Sequence, residues 1–301
     1  MITRRRALTL IAAATLSKPA LAGDAMPRIV WQGIALGADV RITLLGEKAL
    51  AEQALAAARH EIARMEALFS LFKPDSALAK LNATGRLQPL PADFSTLMAL
   101  IDQVHRATNG AFDPTIQPLW LALARGASIT EARAETGHLI GWEKLGRAPH
   151  LALKPGMALT FNGIAQGYAT DAVAACIAKH GFAHHLIDIG EIRAGDGSWQ
   201  VGLEDPALGL FSTQALSCTA IATSSPRALV FKTGEGHILG PKGEAPLWSS
   251  VSVEADNAAL ADAASTGFCL MPLAAIRAAK SAMPGVRSIT LVNARGEVAT
   301  L

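Results

Sequence analysis

Cysteine is scarce in this chain of 301 residues: it has three, Cys176, Cys218 and Cys269, which lie far apart in the sequence. Isolated cysteines in odd number offer no disulfide framework and no C-x-x-C redox motif. Each lies in an apolar run, which favours a buried free thiol over a nucleophile. No His/Cys spacing suits zinc, and no G-x-S-x-G nucleophile elbow is present. These absences argue against a disulfide-stapled domain, a zinc module and an elbow-type hydrolase.

A membrane-spanning run is also lacking. Residues 1–22, MITRRRALTLIAAATLSKPALA, have a basic start, a short apolar stretch and an Ala20-Leu21-Ala22 cleavage pattern, which is typical of an export signal. The apolar stretch is too short for a span, and no cysteine follows the cleavage pattern, so we expect no stable membrane anchor. Arg4 and Arg5 precede the apolar stretch and favour a twin-arginine signal over an Arg-rich Sec signal. We therefore expect residues 23–301 to act in the periplasm as one domain.

A basic excess is missing once this segment is removed. It contains Arg4, Arg5, Arg6 and Lys18, so 27 − 4 leaves 23 basic residues against 25 acidic ones, a formal charge of −2. Because nucleic-acid binding normally needs a positive surface, we expect no nucleic-acid partner. The composition is 50% hydrophobic, which is typical of a globular protein with a sizeable core.

The periodicity of apolar residues predicts an α+β fold with a largely antiparallel sheet and packed helices. Helical spacing covers 48–68, 93–108 with Asp93 as N-cap, and 165–180 closed by Gly181. Residues 125–150 are expected to be loop-rich or weakly helical. The predicted strands are 39–45, 185–189, 199–204, 218–223, 228–232, 249–254 and 288–293. Helices and strands do not alternate strictly, which argues against a doubly wound sheet.

One more helix is predicted between the last two strands, and it carries an unusual pair. In ADAASTGF, residues 261–268, Asp262 and Thr266 are four apart and so share one helix face. They could simply face water. If the face is buried, the carboxylate needs a hydrogen-bond partner or a metal. A cation held by a carboxylate and a hydroxyl would be hard and oxygen-loving, Mg²⁺ first, and Mg²⁺ usually serves phosphate chemistry.

Three further segments combine turns with polar residues. Residues 109–120, NGAFDPTIQPLW, place Asp113 in a rigid turn that could be a structural Asx turn. Residues 160–171, TFNGIAQGYATD, place Gly163 and Gly167 at a helix start, which suits either a bound phosphate or a tight strand–helix turn. Residues 223–225, TSS, are followed by GHILGP at 236–241, where His237 could be structural or catalytic.

Taken in order, these segments resemble the FAD:protein FMN transferases, the ApbE family. The resemblance rests on LFSLFKPDSALAKLN (68–82), GAFDPTIQPLW (110–120), FNGIAQGYATD (161–171), IATSS (221–225), GHILGP (236–241) and ADAAST (261–266). It implies a T-fold-like domain that moves FMN from FAD to a Thr or Ser hydroxyl of an acceptor flavoprotein, with Mg²⁺ required and AMP released. The acceptor would carry a D-G-x-T/S motif and face the periplasm.

The resemblance also implies roles for individual residues. The metal ligands would be Asp262, Thr266 and the backbone carbonyl of Gly163. His237 would be the general base that takes the proton of the acceptor hydroxyl. The FAD-binding residues would be Leu36, Phe72, Ala111, Phe112, Asp113, Thr160, Gln166 and Leu239.

Some positions depart from the family pattern. Gln166 replaces the common Lys or Glu, Gly240 replaces an Asp after the His, Thr160 stands where Asp is frequent, and Ser225 replaces a Gly. These changes keep two alternatives open: a non-catalytic FAD-binding carrier or maturation protein, and an FAD pyrophosphatase. The I-A-Q-G-Y form and the twin-arginine signal resemble a NosX-like subgroup linked to nitrous oxide reductase maturation, whose acceptor would be a NosR-like membrane protein.

Overall fold

The computed structural model describes residues 26–147 and 150–301, so the expected signal segment at 1–22 lies outside the described residues. In the described part of the chain, no helix combines the length and apolar character that a membrane span requires. The strands are β1 (Arg28–Ala35), β2 (Ala38–Leu45), β3 (Arg86–Leu87), β4 (Leu151–Ala152), β5 (His185–Asp188), β6 (Ile192–Ala194), β7 (Trp199–Asp205), β8 (Gly209–Leu216), β9 (Ala220–Ser224), β10 (Ser250–Ala255), β11 (Val286–Val292) and β12 (Val298–Thr300). The α-helices are α1 (Lys48–Phe69), α2 (Ala77–Thr84), α3 (Ala92–Ala107), α4 (Gln117–Ala124), α5 (Ile129–Thr136), α6 (Ala165–Lys179), α7 (Ala258–Phe268) and α8 (Leu273–Ala282).

One sheet of eight strands dominates the fold, in the order β1-β2-β5-β6-β9-β10-β11-β12. Every neighbouring pair in it is antiparallel. The β7–β8 hairpin forms a separate two-stranded sheet, and so does the pair β3–β4, whose strands are distant in the sequence. The predicted α+β class with a largely antiparallel sheet is therefore confirmed.

The helices that matter for function pack on the middle of this sheet. α7 lies against β9 and β10, α6 lies between α1 and α7, and α3 contacts α7 and α8. Strand β10 is buried almost throughout, because α7 covers the face with Val251, Val253 and Ala255, while Gln214 of β8 reaches Glu254 on the other face. Helix α7 itself is buried along nearly its whole length. This Ala-rich helix thus packs between the sheet on one side and helices α3 and α6 on the other.

Three local predictions were wrong. Cys218 was expected to be a buried thiol but is exposed, because it lies in the turn between β8 and β9 with a positive φ of 55°. Residues 228–232 form no strand, since only an isolated bridge joins Val230 to Gly236 and the segment folds back on itself. A short run of apolar residues suggested a strand there, but the backbone groups find partners locally. Asp93 is not an N-cap, because α3 begins at Ala92 and the carboxylate instead bonds Arg64 and Tyr168.

Several elements were missed. Between 125 and 150, α5 is a regular helix opened by a capping box in which Ser128 and Glu131 bond each other's backbone. Helices α2 and α8 and strands β1 and β8 were also not predicted. Residues on β1 and β8 are mostly exposed or half-buried, so apolar and polar residues do not alternate there as they do in a half-buried strand.

Candidate active site

Asp171 and Asn257 fix the start of α7. Asp171, at the end of the TFNGIAQGYATD segment, accepts hydrogen bonds from the backbone N–H groups of Ala258 and Ala259, both at 2.9 Å. Asn257 caps the same helix by accepting from Leu260 N. Asp171 lies on α6, so these bonds tie α6 to the first turn of α7. This motif aspartate therefore holds the helix that carries the predicted metal ligands.

Gly167 allows α6 to approach α7 closely. A Cβ at this position would lie 2.3 Å from the carbonyl oxygen of Ala258, so a side chain does not fit. The N–H of Gly167 donates to Oδ2 of Asp262 at 3.1 Å. The structure thus gives Gly167 a packing role at a tight contact between two helices, which neither interpretation of the sequence anticipated.

Asp262 is 3% exposed on the face of α7 that meets α6. Burial raises the pKa of this carboxyl to about 8, the Gly167 N–H opposes the shift, and the charge of Asp171 adds to it. In the described part of the chain, Oδ1 accepts no hydrogen bond. A buried carboxylate that the protein satisfies on one oxygen only suits a cation on the other.

Thr266 lies one helical turn further on, and Gly163 lies directly against it. A Cβ at Gly163 would be 2.7 Å from the Thr266 Oγ1, so only glycine allows the 160–164 loop to come this close. Among residues 26–147 and 150–301, no group of three or more His, Cys, Asp or Glu side chains could hold a metal. The oxygen donors gathered here are instead one carboxylate, one hydroxyl and nearby backbone, which fits a hard cation such as Mg²⁺.

The end of β9 contacts this region through hydroxyl groups. Ser224 Oγ is 3.2 Å from Thr266 Oγ1 and 2.8 Å from Ser265 Oγ. Ser265 in turn donates to the backbone carbonyl of Asp262 at 2.9 Å. Sequence reasoning missed both serines as partners, because Ser224 is distant in sequence and Ser265 looked like a small core residue.

His237 is held by the backbone carbonyl of Pro226, which lies two residues after Ser224. Its Nδ1 is 3.1 Å from the carbonyl oxygen of Pro226, and its backbone N–H donates to the same oxygen. Since a carbonyl can only accept, Nδ1 carries the proton and Nε2 is left as an acceptor. Burial lowers the pKa of His237, opposed by its backbone hydrogen bonds. The ring is therefore neutral near pH 7, the state a general base needs.

The GAFD turn packs against α7 beside Thr266. A Cβ at Gly267 would lie 3.1 Å from the Phe112 Cβ, and both Ala111 and Phe112 are buried. Asp113 has both carboxylate oxygens occupied by the protein. Oδ1 accepts from Thr115 N and Thr115 Oγ1, and Oδ2 accepts from Trp142 N. This is the Asx turn that the sequence left open, and any effect of the Asp113 side chain on a flavin would come through the shape of the turn.

Two more predicted flavin residues flank the α6 start. Thr160 donates its backbone N–H to the Pro114 carbonyl at 2.9 Å, which places it beside the GAFD turn. Gln166 points the other way, because a Cβ at Gly190 would lie 2.6 Å from its Nε2. Gln166 thus lies over the turn between β5 and β6 rather than over Thr160.

The remaining predicted residues occupy two outer positions. Leu36 has a positive φ of 49° and donates its N–H to Glu66, which also forms an ion pair with Lys73. Glu66 thus links Leu36 to Lys73, which follows Phe72 in the chain, and Phe72 is 60% exposed. Leu239 packs with the cluster that contains Leu119 and Phe231.

Two acids near the site were not anticipated. Glu191 is buried after the β5–β6 turn, and its pKa is raised by burial and then by the charges of Asp262 and Asp188. Glu244 lies where a side chain at Gly240 would begin, since a Cβ there would be 2.7 Å from Glu244 Oε2. Gly240, which stands where the family pattern has an Asp, is thus next to the carboxylate of Glu244.

Comparison with known proteins shows the family of this chain. The ApbE family model matches residues 36–290. The FAD:protein FMN transferase of Klebsiella pneumoniae is 26% identical over 281 residues, covering 83% of this chain and 80% of the relative. The FAD:protein FMN transferase of Chlamydia trachomatis is 28% identical over 272 residues, 81% of this chain and 84% of the relative.

Solved structures show the same fold. The flavin transferase ApbE from Vibrio cholerae superposes with a TM-score of 0.81 at 18% identity, over 92% of this chain and 97% of that one. The ApbE protein from Thermotoga maritima gives a TM-score of 0.80 at 23% identity, over 91% and 96%. The chain therefore belongs to the ApbE family, and the curated relatives that it matches over most of its length are FAD:protein FMN transferases.

Proposed function

We propose that this protein transfers FMN from FAD to a Thr or Ser hydroxyl of an acceptor flavoprotein, with Mg²⁺ as cofactor and AMP as the leaving group. The observation that carries the proposal is the meeting of α7 and the 224–237 segment. Asp262 and Thr266 lie on one face of α7 beside Gly163, and the Ser224–Pro226 stretch links Thr266 to His237. The site thus combines oxygen donors for a cation with a neutral imidazole.

The chemistry assigns separate tasks to these groups. Asp262 Oδ1, Thr266 Oγ1 and the Gly163 backbone would hold the cation, which when bound offsets the charge of the phosphates. His237 Nε2 takes the proton of the acceptor hydroxyl as its oxygen bonds the FMN phosphorus. The phosphoanhydride bond breaks, and AMP leaves with the electron pair. The fixed Nδ1–H of His237 orients the ring for this proton transfer.

The flavin would lie across the loops that surround α7. The GAFD turn (Ala111–Asp113) and Thr160 border one side, and Gln166 borders the other. Leu36 and exposed Phe72 offer apolar surface for a ring system. Leu239 would contribute from the His237 segment.

The proposed reaction takes place in the periplasm, and the export signal expected at 1–22 supports this location. The acceptor would carry a D-G-x-T/S motif, and the NosX-like features of the sequence point to a NosR-like membrane flavoprotein. A partner of this kind brings its own hydroxyl to His237, so the proposed mechanism needs no covalent nucleophile from this chain.

In-gel flavin fluorescence tests the proposal. The protein is mixed with FAD, Mg²⁺ and an acceptor fragment bearing D-G-x-T/S, and the denatured acceptor is expected to fluoresce. The band should disappear with EDTA and in Asp262→Ala, and His237→Gln should lower the rate by about 10²-fold. Asp256→Ala is the matched control, because Asp256 lies just before α7 in an exposed ion pair with Arg287 and should leave labelling unchanged.

Two results would contradict transfer. Tight FAD binding without a labelled acceptor would favour the carrier alternative. Mg²⁺-dependent release of FMN and AMP without labelling would favour the pyrophosphatase alternative, in which water takes the place of the acceptor hydroxyl.

A further inference from the structure

The hydroxyl groups behind α7 form a chain whose direction can be worked out. It runs from Thr266 Oγ1 to Ser224 Oγ at 3.2 Å, from there to Ser265 Oγ at 2.8 Å, and ends at the carbonyl oxygen of Asp262 at 2.9 Å. Each hydroxyl has one proton to donate, whereas the carbonyl has none. The contact between Ser265 and the Asp262 carbonyl therefore fixes the direction of the other two hydrogen bonds.

The assignment proceeds backwards from the carbonyl. Ser265 must donate to the Asp262 carbonyl, since two acceptors at 2.9 Å without a proton between them would repel. The Ser265 proton is then used, so Ser224 donates to Ser265. The Ser224 proton is used in turn, so Thr266 donates to Ser224. A single arrangement of three protons satisfies all three contacts.

We infer that Ser224 is a positioning residue that turns the proton of Thr266 away from the cation position and leaves its lone pairs available for Mg²⁺. A hydroxyl that binds a cation must present oxygen, and a proton aimed at the ion would oppose binding. The backbone geometry of α7 supplies the fixed end of the chain, through the carbonyl of the same Asp262 whose side chain is the predicted ligand. This inference rests on the proposed function, because it assumes a cation at Asp262 and Thr266.

The chain of hydroxyl groups also explains why a serine, with a side chain that can donate a hydrogen bond, lies at the end of β9. Ser224 pairs with Val251 in the sheet, so its backbone is fixed by β10, while its side chain reaches α7. The neighbouring Thr223 uses its hydroxyl differently, because it bonds Ser252 of β10 at 2.8 Å and not α7. Two adjacent residues thus provide a hydroxyl directed at the proposed site and one directed at the sheet.

A Mn²⁺ binding titration tests the inference without relying on turnover. Binding is measured as the decrease of the EPR signal of free Mn²⁺. The titration uses the protein with saturating FAD, and Mg²⁺ competition confirms that both ions share a site. Ser224→Ala is expected to weaken Mn²⁺ binding by about tenfold, the lower end of the effect of removing a group that orients a metal ligand. Ser224→Thr keeps the hydroxyl and should restore most of the affinity. Ser252→Ala removes a buried hydroxyl bonded to Thr223 and should have no effect.

A double-mutant cycle separates positioning from a general structural role. In a Thr266→Val background, Ser224→Ala should weaken Mn²⁺ binding no further, because Ser224 acts through the Thr266 hydroxyl. Thermal unfolding in EDTA shows whether each variant is folded.

The outcomes distinguish the two proposals. If the wild type binds Mn²⁺ and Asp262→Ala does not, equal affinity of Ser224→Ala and wild type would overturn the role of Ser224 and leave the metal site intact. A tenfold loss that persists in the Thr266→Val background would also overturn it. If Asp262→Ala binds Mn²⁺ as well as the wild type, the metal site itself is wrong, and the inference fails with it.

Discussion

Asp113 and Asp262 are both buried aspartates in the motifs that led to the family, yet the structure treats them differently. Asp113 accepts three hydrogen bonds from Thr115 and Trp142, which occupy both of its oxygens. Asp262 accepts one, from Gly167, on a single oxygen. Burial raises the pKa of both carboxyls. The comparison teaches that burial alone does not mark a ligand-binding carboxylate, and that a cation ligand also needs an oxygen that no protein donor occupies.

The largest expected effect separates activity from folding at Asp262. Asp262→Asn keeps an oxygen for the Gly167 N–H but removes the charge, so FMN transfer should fall on the order of 10³-fold, equivalent to several kcal/mol of lost charge stabilisation. The free energy of unfolding in EDTA should be nearly unchanged near pH 7, where the buried carboxyl is mostly protonated, and higher than that of the wild type above about pH 8, where the wild-type carboxyl is ionised. Transfer rates and urea unfolding of the same preparation measure both. A variant that transfers FMN normally would show that Asp262, like Asp113, serves the fold alone.

At Asp113 we expect substitution to lower the stability of the fold and to leave metal binding nearly unchanged. Asp113→Ala leaves the buried N–H groups of Thr115 and Trp142 without acceptors, which should cost roughly 3 kcal/mol of unfolding free energy. Asp113→Asn retains one acceptor oxygen and should cost less. Mn²⁺ affinity of the folded protein should stay within about twofold of the wild type, since Asp113 is not a predicted ligand. A stable Asp113→Ala protein that binds Mn²⁺ poorly would break the comparison.

The smallest effect concerns pH. The pKa of Asp262 is raised to about 8 by burial and by Asp171, so below that pH a proton competes with the cation for the carboxylate. Mn²⁺ affinity should therefore increase by about tenfold per pH unit up to about pH 8 and then level off. Titrations between about pH 6 and pH 9 measure the slope. Affinity that is constant over this range would mean that Asp262 is already ionised without metal, as an exposed aspartate would be.

The parts of this site that sequence could predict are those within one element. The shared face of Asp262 and Thr266 follows from helical spacing in ADAASTGF, and the turn at Asp113 follows from Asp-Pro. The antiparallel class followed from strand patterns that did not alternate with helices. The family resemblance then grouped distant segments, but it could not tell which atoms face each other.

What sequence could not show are contacts across long separations. Gly167 and Asp262 are 95 residues apart, and Ser224 and Thr266 are 42 apart. Asp171 belongs to a motif that suggested chemistry, yet it caps α7, because the cap depends on where α6 passes the start of α7. The segment at 228–232 failed for a related reason, since its backbone finds partners in its own loop and not in a sheet.

The end of β9 has one further consequence, which concerns the order of synthesis. Ser224 and Pro226 hold Thr266 and His237, while Asp171 on α6 fixes the start of α7. These supports precede α7 in the chain, but Gly285, which follows it, lies against Leu260 of α7 and accepts a hydrogen bond from the N–H of Asp256. A ribosome must release residues up to about Gly285 before the carboxylate and the hydroxyl can face each other. A nascent chain therefore has no place for the cation, and loading is an event of the completed fold.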